Sequence, residues 1–173
     1  MPDIGLVLGS DSDLPAFRRA IELLDHWQVG YELHLISAHR DPERVAVYAR
    51  SAEERGLKVL IGGAGAAAHL AGALAAGSLL PVIGVPLGGS ALNGVDALYA
   101  TVQMPGGVPV ATVGIGGAEN AVLLAAEILA LGDPALKERL RTDRERRREE
   151  LRAKDRHLGE VGLENYLGGV NRP

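Results

Sequence analysis

The stretch DIGLVLGSDSD, Asp3–Asp13, decides how the rest of the chain is read. A nearly unbroken apolar run ends at Gly9, and small and acidic polar residues then open directly into a segment of helical period. An apolar run without alternation suits a strand covered on both faces, as in a parallel sheet. The pattern returns about every 25 residues, in YELHLIS (31–37), KVLIGG (58–63), PVIGVP (81–86) and PVATVGI (109–115). Between these runs, 13–28, 42–55, 66–77, 91–102 and 118–131 read as helices. Alternating β and α with short connections predicts a three-layer αβα sandwich, α/β in class, around a five-stranded parallel sheet with right-handed crossovers.

Local signals agree with this frame. Asp41-Pro42 pairs a capping carboxylate with a residue suited to the first helical turn, and Gly56 is expected to close that helix. From Pro134 an extended C-terminal helix is predicted to run to Leu158, with Leu136, Leu140 and Leu151 as its apolar positions. That stripe is too thin for a core, so the helix is expected along the domain edge or against another subunit. Residues 1–133 then carry the sandwich, and 134–173 form the helix and tail of the same domain.

Composition narrows the function. The 173 residues are 47% hydrophobic and 23% charged, which fits one soluble globular domain. One Phe, one Trp and four Tyr are too few for a single-strand nucleic-acid stacking platform. The absence of cysteine excludes disulfides, thiolate metal sites and cysteine nucleophiles. No secretory signal or run of about 20 apolar residues is visible, so a cytoplasmic protein without membrane contact is expected. Residues 1–133 hold 7 Lys/Arg against 14 Asp/Glu, whereas 134–173 hold 11 against 8. Signs alternate in that basic segment, which reads as a solvated helix, with a nucleic-acid arm as the alternative.

In open parallel sheets ligands bind at the carboxyl ends of the strands, so residues just after each apolar run are the site candidates. GSDSD (9–13) offers Ser10 and Ser12 at a helix start, an anion site, while Asp13 suits ribose hydroxyls; simple capping by Ser12 or Asp13 is the alternative. ISAHRDP (36–42) sets His39, able to exchange protons near neutral pH, beside Arg40, suited to a phosphate; an exposed polar loop is the alternative. GGAGAAAHLAG (62–72) is nearly all Gly and Ala and lets the backbone close over a small ligand, with His69 as a pocket or a core histidine. PLGGSALNG (86–94) brings Ser90 and Asn93, and GIGGAEN (114–120) is another glycine turn. No G-x-S-x-G, H-E-x-x-H or other metal-spaced cluster occurs, so no metal site is expected.

Six segments in order resemble the motifs of the N5-carboxyaminoimidazole ribonucleotide mutases, the class I phosphoribosylaminoimidazole carboxylase catalytic subunits. They are GSDSD (9–13), SAHRDP (37–42), GAGAAAHLAG (63–72), LNGVDAL (92–98), VQMPGGVPVATV (102–113) and NAVLLAAEIL (120–129). Asp41 stands where the family has Thr, Ala66 and Ala71 replace a Gly and a Pro, and LGGS (87–90) replaces a loop that often carries Lys and Gln. The resemblance implies a flavodoxin-like fold and a reaction of purine (IMP) biosynthesis. In it a carboxylate moves from the exocyclic nitrogen of an aminoimidazole ribonucleotide to ring carbon C4, without cofactor, metal or ATP. It implies Ser10, Asp13 and Arg40 as substrate-binding residues and His39 as general acid/base. Ser12 and Ser37 become further phosphate contacts, His69 lines the pocket, and the loop 63–69, Gly65 included, holds CO2. The implied partners are the small ribonucleotide and CO2, and the implied assembly is a homo-octamer in which the C-terminal helix reaches a neighbour.

Two other readings compete. A carboxylase of the second, CO2-using type shares the chemistry at C4. A non-catalytic nucleotide- or flavin-binding module shares the sheet type, although no carboxyl-end loop supplies an aromatic for a flavin.

Overall fold

The computed structural model describes residues 1–169; the last tail residues, 170–173, lie outside the described residues. The elements follow in chain order: β1 Ile4–Leu8, α1 Leu14–His26, β2 Tyr31–Leu35, α2 Pro42–Ser51, β3 Val59–Gly65 and α3 Leu70–Gly77. Then come β4 Val82–Leu87, α4 Val95–Val102, β5 Ala111–Thr112, α5 Ala118–Leu129 and α6 Pro134–Gly169. The five strands are all parallel, in the order β2-β1-β3-β4-β5. This is the predicted three-layer, flavodoxin-like sandwich.

Strand pleat divides the core in two. Ile4, Leu6 and Leu8 of β1 face α1 and α5 with Phe17, Leu24, Trp27 and Val122, whereas Val7 faces α2 and α3 with Val45, Ala49 and Leu74. Each fully buried Leu, Ile or Phe contributes about 2 kcal/mol through the water-exposed area it loses. Central β3 is squeezed from both sides. A Cβ on Gly62 would meet Ala71 Cα of α3 at 3.0 Å, and one on Gly63 would meet Phe17 of α1 at 2.7 Å. Only glycines let both helices approach there.

The outer strands depart from the expectation of burial on both faces. β2 is half-buried from Tyr31 to His34 and exposed at Leu35, because no strand among the described residues pairs beyond it, and Glu32 of β2 meets Arg55 at 3.1 Å at that edge. β5 shrinks to two residues, which pair with Ile83 and Gly84. Two helices, α3 and α4, start later than predicted. Residues 66–69 stay outside α3, with Ala66 at φ 51, and 91–94 stay outside α4, with Asn93 at φ 52 and Gly94 at φ 89. Those left-handed backbones cannot begin a right-handed helix. Asp41 caps α2 as predicted, its carboxylate accepting from the Arg44 N–H at 3.2 Å, but α2 ends at Ser51, before Gly56.

The C-terminal helix corrects two expectations. Its first turns do belong to the core, since Leu136 and Leu140 are buried against α1 and α5, while Leu151 is exposed. It also continues past Leu158, breaking at Gly162 (φ 73, ψ 166) before resuming. Its alternating charges form pairs along the helix, including Arg141–Glu138 at 2.7 Å and Arg148–Glu145 at 3.0 Å, as a solvated helix does.

Candidate active site

The sheet order reverses between β1 and β3, so the loops after these strands part at their carboxyl ends. A cleft of about 460 Å³ opens there, walled by the loops following β1, β2, β3 and β4. Ser10, Ser12, Asp13, Ser37, His39, Arg40, Gly65 and His69 all line it. The eight residues expected to bind or act on the substrate therefore reach one space, whereas Asn93 does not line it.

The loop after β1 separates capping from exposure to the cleft. A single 3-10 turn, Asp11–Asp13, precedes α1 and is capped by Ser10, whose Oγ accepts from the Ser12 N–H at 3.3 Å. The Ser12 hydroxyl donates to Ser10 Oγ at 2.9 Å, and Ser10 in turn donates to Asp11 Oδ1 at 3.1 Å. Asp11 is thus engaged within the turn. Asp13 makes no capping hydrogen bond with its side chain and lines the cleft instead. Burial pushes the Asp13 carboxyl above its usual range, helped by the negative charge of Asp11; a backbone N–H of Ser10 and the charge of Arg40 oppose it.

The loop after β2 is tied to its neighbour through Arg40. One guanidinium nitrogen, Nη2, donates to the Gly9 carbonyl at 3.0 Å, which joins the β2 loop to the β1 loop. Because that acceptor is neutral, the arginine keeps its full charge beside the cleft, with most of its donors uncommitted to it. Ser37 shapes the same turn, its Oγ accepting from the Arg40 N–H at 3.3 Å and its carbonyl from the Asp41 N–H at 2.8 Å. Ser37 therefore supports Arg40 in addition to lining the cleft.

The loop after β3 carries the second imidazole. His69 immediately precedes α3, and its Nδ1 lies 2.8 Å from His39 Nε2, with the ring centroids 4.4 Å apart and the planes inclined by 51°. It is exposed to the cleft, which removes the reading of a core histidine. Burial lowers its pKa below the ordinary histidine value, and a positive charge on His39 lowers it further. The floor of the cleft is lined by Gly65, Ala66 and Ala67. Ala71 has no part in that floor; it is buried against Gly62 of β3.

From the loop after β4 the sequence reading named Ser90 and Asn93 but gave neither a role. Gly88, Gly89 and Ser90 complete the wall, and Ser90 donates to Asp96 at 2.8 Å. The rule of carboxyl-end loops marked them, but two glycines offer no side chain that advertises a contact. Among the described residues no group of three or more His, Asp or Glu side chains is placed to hold a metal ion.

Comparison with known proteins accords with this geometry. Residues 3–150 match the AIR carboxylase family. The chain is 54% identical over 169 residues to the N5-carboxyaminoimidazole ribonucleotide mutase of Pyrococcus abyssi, covering 98% of this chain and 97% of that one. It is 50% identical over 165 residues to the phosphoribosylaminoimidazole carboxylase of Schizosaccharomyces pombe, covering 95% of this chain but 30% of that longer protein. The fold is similar to the crystal structure of Treponema denticola PurE, with a TM-score of 0.82 at 26% identity, over 91% of this chain and 99% of that one.

Proposed function

The chain belongs to the AIR carboxylase family, and from that premise we propose that it is an isomerase of purine biosynthesis, an N5-carboxyaminoimidazole ribonucleotide mutase. The observation that carries the reading is the 54% identity to a protein of that name along nearly the whole of both chains. The site's chemistry supports it. Arg40 and the hydroxyls of Ser10, Ser12 and Ser37 suit a phosphate, and Asp13, relieved of capping, suits ribose hydroxyls.

The reaction needs one proton delivered and one removed. His39, protonated, gives its proton to the exocyclic nitrogen as the carbamate C–N bond breaks, releasing CO2 and aminoimidazole ribonucleotide. C4 then attacks the CO2 carbon, and neutral His39 takes the proton from C4, regenerating the acid. The Gly/Ala floor at 65–67 retains CO2 between the steps, so recarboxylation is not a bimolecular encounter. No cofactor or ATP enters this balance.

The same reading makes the protein one cytoplasmic domain, α6 and tail included, assembled as a homo-octamer in which α6 reaches a neighbour. Exposed Leu151, Leu163 and Leu167 along α6 support a partner for that helix.

The test is to supply purified protein with the carbamate ribonucleotide, or with aminoimidazole ribonucleotide and bicarbonate, both without ATP or biotin. Efficient conversion of the carbamate alone is expected. Turnover with modest CO2 and none with the carbamate would replace the mutase by a direct carboxylase.

A further inference from the structure

We propose that His69 is a positioning residue for His39: its Nδ1 accepts the Nε2 proton of His39, which fixes the neutral His39 tautomer and limits the pair to one excess proton. The observation is the 2.8 Å separation between these two nitrogens. At that distance only one hydrogen fits between them. If both rings were charged, each nitrogen would carry a proton aimed at the other, so the doubly charged pair is excluded while the contact lasts.

The direction of donation follows from the surroundings. Burial and charge on His39 both disfavour the charged form of His69, which suits it to offer a lone pair as the acceptor. Both rings are exposed to the cleft, His39 from the loop after β2 and His69 from the loop after β3. The other charged groups lining this cleft are Asp13 and Arg40. Arg40 is held by the Gly9 carbonyl, and neither group makes a hydrogen bond to the His39–His69 pair.

With Nε2 occupied as a donor, neutral His39 keeps its lone pair on Nδ1, and charged His39 carries its transferable proton on Nδ1. One nitrogen thus serves both proton transfers. A free imidazole would populate both tautomers and rotate, spreading the base over two positions. A second histidine is what a site gains by keeping one proton carrier in one orientation.

The experiment compares wild type, His69→Ala and His69→Asn, whose Oδ1 stands about where Nδ1 did. Nitrogen-15 histidine spectra read the protonated nitrogen of neutral His39 in the substrate-free protein, its signals identified by their loss in His39→Asn. Nε2–H is expected in wild type and in His69→Asn, and a mixture of tautomers in His69→Ala. On the mutase function proposed above, kcat for His69→Ala falls roughly tenfold to a hundredfold with KM nearly unchanged, and His69→Asn recovers most of it. An unaltered His39 tautomer in His69→Ala, or a raised KM at unchanged kcat, would overturn the proposal. The spectra need no turnover, so an inactive wild type with the expected tautomer would sink the function and leave the pairing standing.

Discussion

His39 Nε2 and His69 Nδ1 meet at 2.8 Å although 30 residues separate them in the chain. The contact brings together two imidazoles from the loops at the carboxyl ends of β2 and β3. Replacing His39 by Asn keeps a polar group of similar reach but removes proton exchange. Turnover is expected to fall by about 10²- to 10⁴-fold. Substrate affinity, read as the dissociation constant, should change little, because the residues proposed to hold phosphate and ribose remain. Appreciable residual turnover in His39→Asn would mean that another group carries the proton.

Arg40 has two tasks, joining the β2 loop to Gly9 and presenting charge to the cleft. Arg40→Ala should weaken binding of the phosphorylated substrate by about 1.5–3 kcal/mol, the scale of a charged hydrogen bond. Lys at this position should recover only part of it, since it restores charge without the planar fork. Calorimetric titration with aminoimidazole ribonucleotide measures both. Equal affinity in wild type and Arg40→Ala would remove Arg40 from the binding site.

Ala66 holds φ 51 in the cleft floor. A Cβ in that conformation costs roughly 1 kcal/mol, which glycine avoids, although glycine loses more backbone entropy on folding. Ala66→Gly should therefore stabilise by about 0.5 kcal/mol, raising Tm by one or two degrees at most. A fall in Tm would show that the methyl group packs well enough to outweigh its strain.

Asp143 is buried near the start of α6, with Arg146 and Arg147 bonding to it at 2.6 and 2.8 Å. Burial pushes its carboxyl up, but hydrogen bonds and charge from both arginines outweigh this and hold the carboxyl below its usual value of 3.8. A depressed carboxylate adds stability that is complete above its unfolded pKa and is lost as pH falls through the folded one. Wild type should lose stability below about pH 4 more steeply than Asp143→Asn, which lacks that titration. Denaturant unfolding at pH 7 and at pH 3 tests this. Parallel losses in both proteins would assign the acid sensitivity to other carboxylates.

The fold was legible because its signals are local and repeated. Apolar runs such as Ile4–Leu8 and Val59–Ile61 need cover on both faces, and alternating helical segments supply it. The boundaries were less legible. Ala67, Ala68 and His69 carry no residue that forbids a helix, yet the left-handed backbone at Ala66 delays α3 until Leu70. In β2 the apolar run does not reveal which strand lies at the edge; strand order does.

The site divides in the same way. Sequence by itself determined the repertoire: small residues for close backbone approach, one arginine in a loop, hydroxyls at a helix start and an imidazole after each of two strands. Those are properties of residue type and position along a strand. Only the tertiary structure decided that Asp13 faces the cleft while Asp11 is used within its turn, that Ala71 is buried against the sheet while Ala66 floors the cleft, and that His39 meets His69. Those outcomes depend on strand order and on how far each loop reaches, which arise when β1 seats between β2 and β3. The stretch 3–13 told where a site would form; packing chose which of its carboxylates belongs to it.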